Sequence, residues 1–339
     1  MASNEKPTVA ITMGDPCGIG PEVIAKALAQ GEAHTWCRPV VIGSAHAFKQ
    51  AVDSASLPLE VHAIETPEEA SDAPGVASII DPQTLNPGDI TLGRVSPMCG
   101  KAAMGWVERA AELAQAGRVK ALATAPLNKE AASLGGYKAI GHMELLQEKT
   151  GAKNVATMLM SGTLRVVHLT THRSLRVACD YVTLERVLSM LDLTHRSFVE
   201  WGLPHPRIAA AALNPHGSDG GLLGDEEATA IGPAVEAAKG KGIDAYGPIP
   251  ADIVFHQAIR GSYDVVLAMY HDQGHIPVKI HGFERSVSVN LGLPFVRTSV
   301  DHGTAFDIAG KWVADATSML EAIRLASLLS TGRGLSRFQ

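Results

Sequence analysis

The chain has 339 residues, 46% hydrophobic and 19% charged, ordinary for a globular protein with a large core and length enough for two lobes. A formal net charge of −6, with no basic run longer than two residues, argues against a nucleic-acid binder. No apolar stretch approaches the roughly 20 residues of a membrane span, and no signal-peptide core precedes the first strand, so a cytoplasmic protein without a membrane partner is expected.

Short β-branched runs alternate with helical patterns from end to end, the signature of βαβ units in an α/β fold with a mainly parallel sheet. In chain order the strands are expected at 9–13, 39–43, 77–80, 121–124, 164–169, 208–213, 265–269 and 287–289. Pro21 opens a helix at 23–29, and a second runs over 101–116. Thr183 caps a third, in which Leu184, Val187, Leu188 and Leu191 repeat at helical spacing. Asp225, Glu226 and Glu227 put three acids into a first turn, and Pro233 kinks or breaks the helix that follows. Asp315 caps a last helix reaching 329. Residues 52–98 are poor in pattern and read as surface structure. The cysteines, Cys17, Cys37, Cys99 and Cys179, are scattered without a Cys-x-x-Cys pair, which argues against a disulfide framework or a structural zinc cluster.

Three histidines end apolar β-like runs: His172 in Arg-Val-Val-His-Leu-Thr-Thr-His, His216 in Ala-Leu-Asn-Pro-His, and His271 in Val-Leu-Ala-Met-Tyr-His-Asp. Parallel strands share one exit edge, so imidazoles at three such ends can converge on a divalent metal. Residues 13–22, Met-Gly-Asp-Pro-Cys-Gly-Ile-Gly-Pro-Glu, form a Gly-rich strand-to-helix turn that is neither G-x-G-x-x-G nor a Walker loop. A tight structural turn and a ligand-contacting turn both fit it. Lys129, ending Ala-Thr-Ala-Pro-Leu-Asn-Lys with Thr124 and Asn128 exposed beside it, fits a carboxylate partner or plain solvation, and His142, at a helix start, fits an anion contact or a structural role. His271-Asp-Gln-Gly-His-Ile-Pro-Val-Lys279 is dense in proton-transfer groups. Residues 297–310 are polar amid apolar surroundings: Arg297 is suited to a phosphate or carboxylate, and His302-Gly303 to a flat cofactor lying on backbone.

These motifs span almost the whole chain in order, and together they resemble the 4-hydroxythreonine-4-phosphate dehydrogenase family: Met-Gly-Asp-Pro-x-Gly-Ile-Gly-Pro-Glu (13–22), Ala-Pro-Leu-Asn-Lys (125–129), Thr-Thr-His (170–172), Asn-Pro-His (214–216), His-Asp-Gln-Gly (271–274) and Arg-Thr-Ser-Val-Asp-His-Gly-Thr (297–304). The resemblance implies two α/β lobes of the isocitrate and isopropylmalate dehydrogenase type with a cleft between them. Their expected bounds are 1–128 plus 283–339, carrying the NAD contacts, and 129–282, carrying the metal histidines. It implies a metal held by His172, His216 and His271 at a homodimer interface. It further implies substrate contacts from His142, Lys279 and Arg297, and NAD lying against 297–310, with Gly14, Asp15, Thr298, His302, Gly303 and Asp307 as its expected contacts. The wording of His-Asp-Gln-Gly-His-Ile-Pro-x-Lys is similar to the branch acting on 4-phospho-D-threonate or 4-phospho-D-erythronate. A branch oxidising the cis-dihydrodiol of terephthalate shares that wording but lacks the His-Thr pair and the Arg.

Two positions depart from the family's pattern. Met143 stands where a Thr is usual, and Ser288 where an Asn is usual, with Asn290 two residues on along the same strand face. The expected reaction is metal- and NAD-dependent oxidation of a secondary alcohol followed by loss of CO₂, with Lys279, Asp252 and Asp272 as candidates for proton transfer. Asp252 fits equally a role in orienting a ligand histidine. His₃ sites accept zinc, cobalt, manganese or nickel, and magnesium stands beside them as an expected ion. Two rivals of other classes remain: a catalytically retired metal- or ligand-binding member, and a hydrolase whose metal activates water.

Overall fold

The structure is a computed structural model, and it describes residues 6–139 and 141–335. Twelve strands occur among them: β1 (Thr8–Thr12), β2 (Arg38–Ile42), β3 (Glu60–Ala63), β4 (Val76–Ile80), β5 (Ala121–Thr124), β6 (Ala156–Ser161), β7 (Leu164–His168), β8 (Ile208–Ala211), β9 (Ala245–Ile249), β10 (Val265–Ala268), β11 (Val287–Leu291) and β12 (Val296–Val300). The chain divides into two compact units.

The first unit takes the residues up to Lys153 together with Leu293–Thr331. Its strands run β3-β4-β2-β1-β5-β12, every neighbour parallel. Val9, Ile11, Val40, Ile42 and Leu122 are wholly buried, as near-continuous apolar strands covered on both faces must be. The second unit takes Asn154–Gly292 with the described residues from Gly332 on. Its order is β11-β6-β7-β10-β8-β9, antiparallel at β11/β6 and β6/β7 and parallel beyond. Its core gathers Leu159, Leu164, Val166, Val254, Val266 and Val278.

The unit boundaries fall at 153/154 and 292/293 rather than at 128/129 and 282/283. The helices Lys129–Leu134 and His142–Thr150 pack on the helix Pro97–Gln115 and so belong to the first unit. β11 pairs along its length with β6, which holds it in the second.

Four strands exceed the expectation from pattern. β3 and β9 are last in their strand orders, and their half-exposed Glu-Val-His-Ala and Ala-Tyr-Gly-Pro-Ile carry little alternation. β6 is joined to β7 through Gly162-Thr163 as a tight hairpin. β12 reads as a polar segment, yet Val-Arg-Thr-Ser-Val is buried throughout, because its polar groups find partners within the sheet. The Arg297 guanidinium donates to Thr124 Oγ1 at 3.1 and 2.6 Å, Thr298 to the carbonyls of Leu122 and Ala322, and Ser299 to the Thr124 carbonyl.

Thr183 caps Leu184–Glu200 as expected, its side chain accepting from the Arg186 amide. The three acids do not open an α-helix. A π-turn over Glu227–Ile231 precedes Gly232–Gly240, with Pro233 in the first turn of the latter. The four cysteines are free thiols, but Cys17 and Cys99 lie sulfur to sulfur, which their sequence spacing does not reveal.

Candidate functional site

In the second unit, β7, β10 and β8 lie side by side and parallel, so their C-terminal ends share one edge. His172, His271 and His216 follow those three ends in that order. His271 opens the helix His271–His281, and its Nδ1 sits 2.7 Å from Asp272 Oδ1, a contact that orients the ring and leaves Nε2 as the nitrogen Asp272 does not engage. The His172 ring lies 6.0 Å from that of His271, centroid to centroid. Both line a cavity of about 400 Å³ with Thr171, Arg173, Tyr270 and Asp272. His275 stacks on His271 at 3.5 Å, and His168 follows at 4.5 Å from His275, so imidazoles continue inward from the edge. Burial, aided by His275, pulls His168 down to about 3, keeping it neutral. The helix approaches so closely that a Cβ on Gly274 would meet His168 Nε2 at 2.3 Å.

Two braces hold this edge. Gln273 accepts from the Met269 amide at 2.7 Å and donates to the Ala212 carbonyl at 2.7 Å, tying the exits of β10 and β8 together. Glu227 accepts from the amides of Leu213 and Asn214, from the Asn214 side chain and from Ser218 Oγ. Burial acts to raise this carboxyl, and those donors outweigh it, so it lies below its ordinary range. It anchors a loop in which all five residues from His216 to Gly220 are left-handed, a conformation costing about 1–3 kcal/mol at each non-glycine. Sequence reasoning assigned Glu227 to the helix dipole and missed this clamp. The signal was the Asn-Pro-His motif eleven residues upstream, where the chain leaves β8 and the Leu213 and Asn214 amides need an acceptor.

The three imidazoles are not gathered within one chain. The ligand atoms of His172, His216 and His271 do not form a cluster within 4.8 Å, and the group that does so among the described residues is Asp15, Cys17 and Cys99.

The first unit repeats the topology with other groups. β1, β5 and β12 are adjacent and parallel, and their exits lead into the Gly-rich turn, the 125–129 segment and the 301–310 segment. Gly14 (φ 69°) brings its backbone against Pro126, whose carbonyl accepts from the Asp15 amide at 2.9 Å, and the Thr304 carbonyl accepts from the Ile19 amide at 3.0 Å. Arg297 is 5% exposed; burial pulls its guanidinium down to about 9, still charged at neutral pH, with Glu144 opposing the shift. Nearby, His142 opens the helix His142–Thr150. Burial holds it well below its ordinary value, with the charges of Arg297 and Lys129 adding, and its buried Nε2 has no hydrogen-bond partner among the described residues. Two cations around a neutral imidazole with an idle nitrogen make an anion-binding arrangement.

Residues 35–326 match the family model described as pyridoxal phosphate biosynthetic protein PdxA. The chain belongs to the PdxA family. It is 46% identical to a protein of Cupriavidus necator named D-threonate 4-phosphate dehydrogenase, over 98% of this chain and 99% of that one. A crystal structure of 4-hydroxythreonine-4-phosphate dehydrogenase from Klebsiella pneumoniae superposes with a TM-score of 0.90 at 44% identity, covering 97% of this chain and 99% of that one. A terephthalate 1,2-cis-dihydrodiol dehydrogenase from Burkholderia xenovorans aligns with a TM-score of 0.68 at 30% identity, over 96% and 98%.

Other residues expected from the PdxA resemblance divide by burial. Of the expected cofactor contacts, Gly14 closes its turn on Pro126, and Asp15 and Thr298 are fully buried. Gly303 and Asp307 are exposed, with nothing within 4 Å of where a Gly303 Cβ would lie, and the buried His302 Nε2 has no hydrogen-bond partner among the described residues. Thr124 and Asn128 are not exposed beside Lys129: Thr124 receives Arg297, and Asn128 caps Lys129–Leu134 by accepting from the Ala131 amide. Asp252 and Asp272 line a second cavity of about 750 Å³ with Tyr270, Gln273 and Ile276. Lys279, two turns after His271, holds its ammonium 4.8 Å from the Phe283 ring centroid. Met143 is half-buried beside His142. Ser288 and Asn290 alternate along β11, Ser288 half-buried and Asn290 buried.

Proposed function

We propose that this chain is an NAD-dependent, divalent-metal-dependent dehydrogenase that oxidises and decarboxylates a 4-phosphorylated 3-hydroxy acid, with D-threonate 4-phosphate as the preferred substrate. The observation that carries the reading is the buried Arg297 guanidinium beside Lys129 and the neutral His142. Its support is the family itself, whose named relatives are dehydrogenases acting on such phosphates.

The chain's residues fit both groups the reaction needs. His271 is oriented by Asp272 through Nδ1, the arrangement a ligating imidazole uses, and His216 rides on a loop clamped by Glu227. Open space at Gly303 and the idle Nε2 of His302 suit a cofactor lying along that backbone. When bound, the divalent ion supplies Lewis acidity and NAD accepts the hydride. His172, His216 and His271 are the proposed ligands, shared between two copies of the chain in a homodimer.

The rest of the chemistry falls to side chains. Arg297 and Lys129 neutralise the phosphate, and His142 Nε2 supplies a hydrogen-bonding group that burial keeps from taking a charge of its own. Lys279, once its ammonium has given a proton to solvent, takes the proton of the substrate hydroxyl as the free amine, since Asp272 is engaged with His271 and Asp252 is exposed on the first turn of its helix. The C–H electron pair leaves as hydride, the C–O bond becomes a carbonyl, and the β-keto acid breaks its C–C bond to release CO₂, the pair passing into the carbonyl as an enolate whose carbon then takes up a proton. His216→Ala, verified as folded by circular dichroism, is expected to lose NADH production by about a thousandfold, the loss of several kcal/mol of charge stabilisation. Near-wild-type turnover in that variant overturns the metal assignment.

A further inference from the structure

Neither Cys17 nor Cys99 has a part in the proposed reaction. Cys17 lies in the Gly-rich turn after β1, and Cys99 in the first turn of Pro97–Gln115. Their sulfurs are 3.3 Å apart, and both residues are fully buried. Asp15 completes the group: a carboxylate oxygen and the two sulfurs all lie within 4.8 Å of one another. Its Oδ1 accepts from the Cys17 amide at 2.9 Å, whereas Oδ2 is buried with no hydrogen-bond partner among the described residues. A buried carboxylate oxygen left in that state is costly unless a cation meets it.

We propose that Asp15, Cys17 and Cys99 bind a thiophilic divalent cation, with zinc as the representative. Two thiolates and a carboxylate are a donor set for such an ion, and binding releases the two thiol protons. A tetrahedral ion with bonds of about 2.3 Å to sulfur holds two sulfurs roughly 3.8 Å apart, so the pair opens by about half an ångström on binding. The fourth position falls to water or to the Asp89 carbonyl, which already lies 3.4 Å from Cys99 Sγ. The cluster is covered by the segment 86–95, where the Gly93 amide donates to the Cys17 carbonyl at 2.8 Å. Asn86, Pro87, Gly88, Thr91 and Arg94 in that segment are exposed, so its opening gives the ion a way in. The bound ion ties the Gly-rich turn to the start of the helix 82 residues away.

The test titrates the full chain, stripped with a chelator and kept reduced, with cadmium alone. One equivalent is expected to produce a thiolate-to-cadmium charge-transfer band in the ultraviolet and to raise the melting temperature. Imidazole ligands give no such band, so cadmium held by the histidines is not mistaken for this site. The band is expected to persist in a Cys37→Ser/Cys179→Ser variant, to vanish in Cys17→Ser and in Cys99→Ser, and to need at least about tenfold more cadmium in Asp15→Asn. Should one serine variant fail to fold, the other and Asp15→Asn carry the test. A folded, reduced wild type without the band, or a band that survives both serine substitutions, overturns the proposal.

Discussion

In the first unit the end of β5 holds a buried guanidinium through Thr124, whereas in the second the exits of β7, β10 and β8 present imidazoles that are exposed or partly exposed. The His271 side chain is 37% exposed, against 5% for Arg297. Three adjacent parallel strands lead into the groups of the second unit without gathering the imidazoles within one chain, and burial separates the chemistry of the two units. A cation kept dry and fixed recognises an anion strongly, because solvent does not screen it. Imidazoles kept accessible remain open to an ion and to a second copy of the chain. Each unit also holds an imidazole that burial keeps from charging, His142 in the first and His168 in the second.

The contrast is broken most severely at Arg297. Arg297→Met keeps the stem and removes the buried charge, and kcat/KM for the phosphorylated substrate is expected to fall about a thousandfold, mainly through KM, in line with 2–5 kcal/mol for a buried charge partner. A variant whose loss lies wholly in kcat would place Arg297 outside substrate binding. Next comes Glu227→Gln, which removes the charge and leaves one accepting oxygen, setting an N–H against either the backbone amides of Leu213 and Asn214 or the Asn214 side chain. It is expected to cost roughly 10–100-fold in activity, as for partners that orient ligands, with an intact circular dichroism spectrum. Unchanged metal affinity in that variant would count against the loop clamp.

The smallest effect sharpens the comparison of the buried imidazoles. His168 titrates lower in the folded chain than in the unfolded, where its value is about 6.5. Its contribution to stability is therefore complete above pH 6.5 and lost as pH falls toward 3, since the unfolded chain binds the extra proton. The groups facing it are His275, His271 and the Thr157 carbonyl. His168→Leu is expected to reduce the acid-side slope of unfolding free energy by up to about 1.4 kcal/mol per pH unit, read from urea melts between pH 4 and 7. An unaltered slope would mean that His168 is already protonated in the fold.

The strand exits were legible because parallel strands bury continuous apolar runs, so a polar residue at the end of one stands out. His172, His216 and His271 carried that signal, and the observed strand order makes their three strands neighbours. β12 was not legible as a strand, because Arg297, Thr298 and Ser299 look solvated until the acceptors Thr124, Leu122 and Ala322 are known. Those acceptors are remote in sequence. The same limit hid the meeting of Cys17 with Cys99, which only the packing of the Gly-rich turn on a helix start brings about. By pattern alone the turn holding Gly14 and Asp15 fits a structural and a ligand-contacting role equally, and its burial shows only in the fold.

The central claim is that the cationic edge of the first unit selects a phosphorylated hydroxy acid. NADH formation, with a divalent metal present, is the direct test, run side by side on D-threonate 4-phosphate, D-threonate without its phosphate, and the terephthalate dihydrodiol. The account predicts turnover of the phosphate, with kcat/KM at least about a hundredfold above the unphosphorylated acid, the worth of a paired buried charge. Turnover of the dihydrodiol alone, or equal turnover of the two threonates, would contradict it.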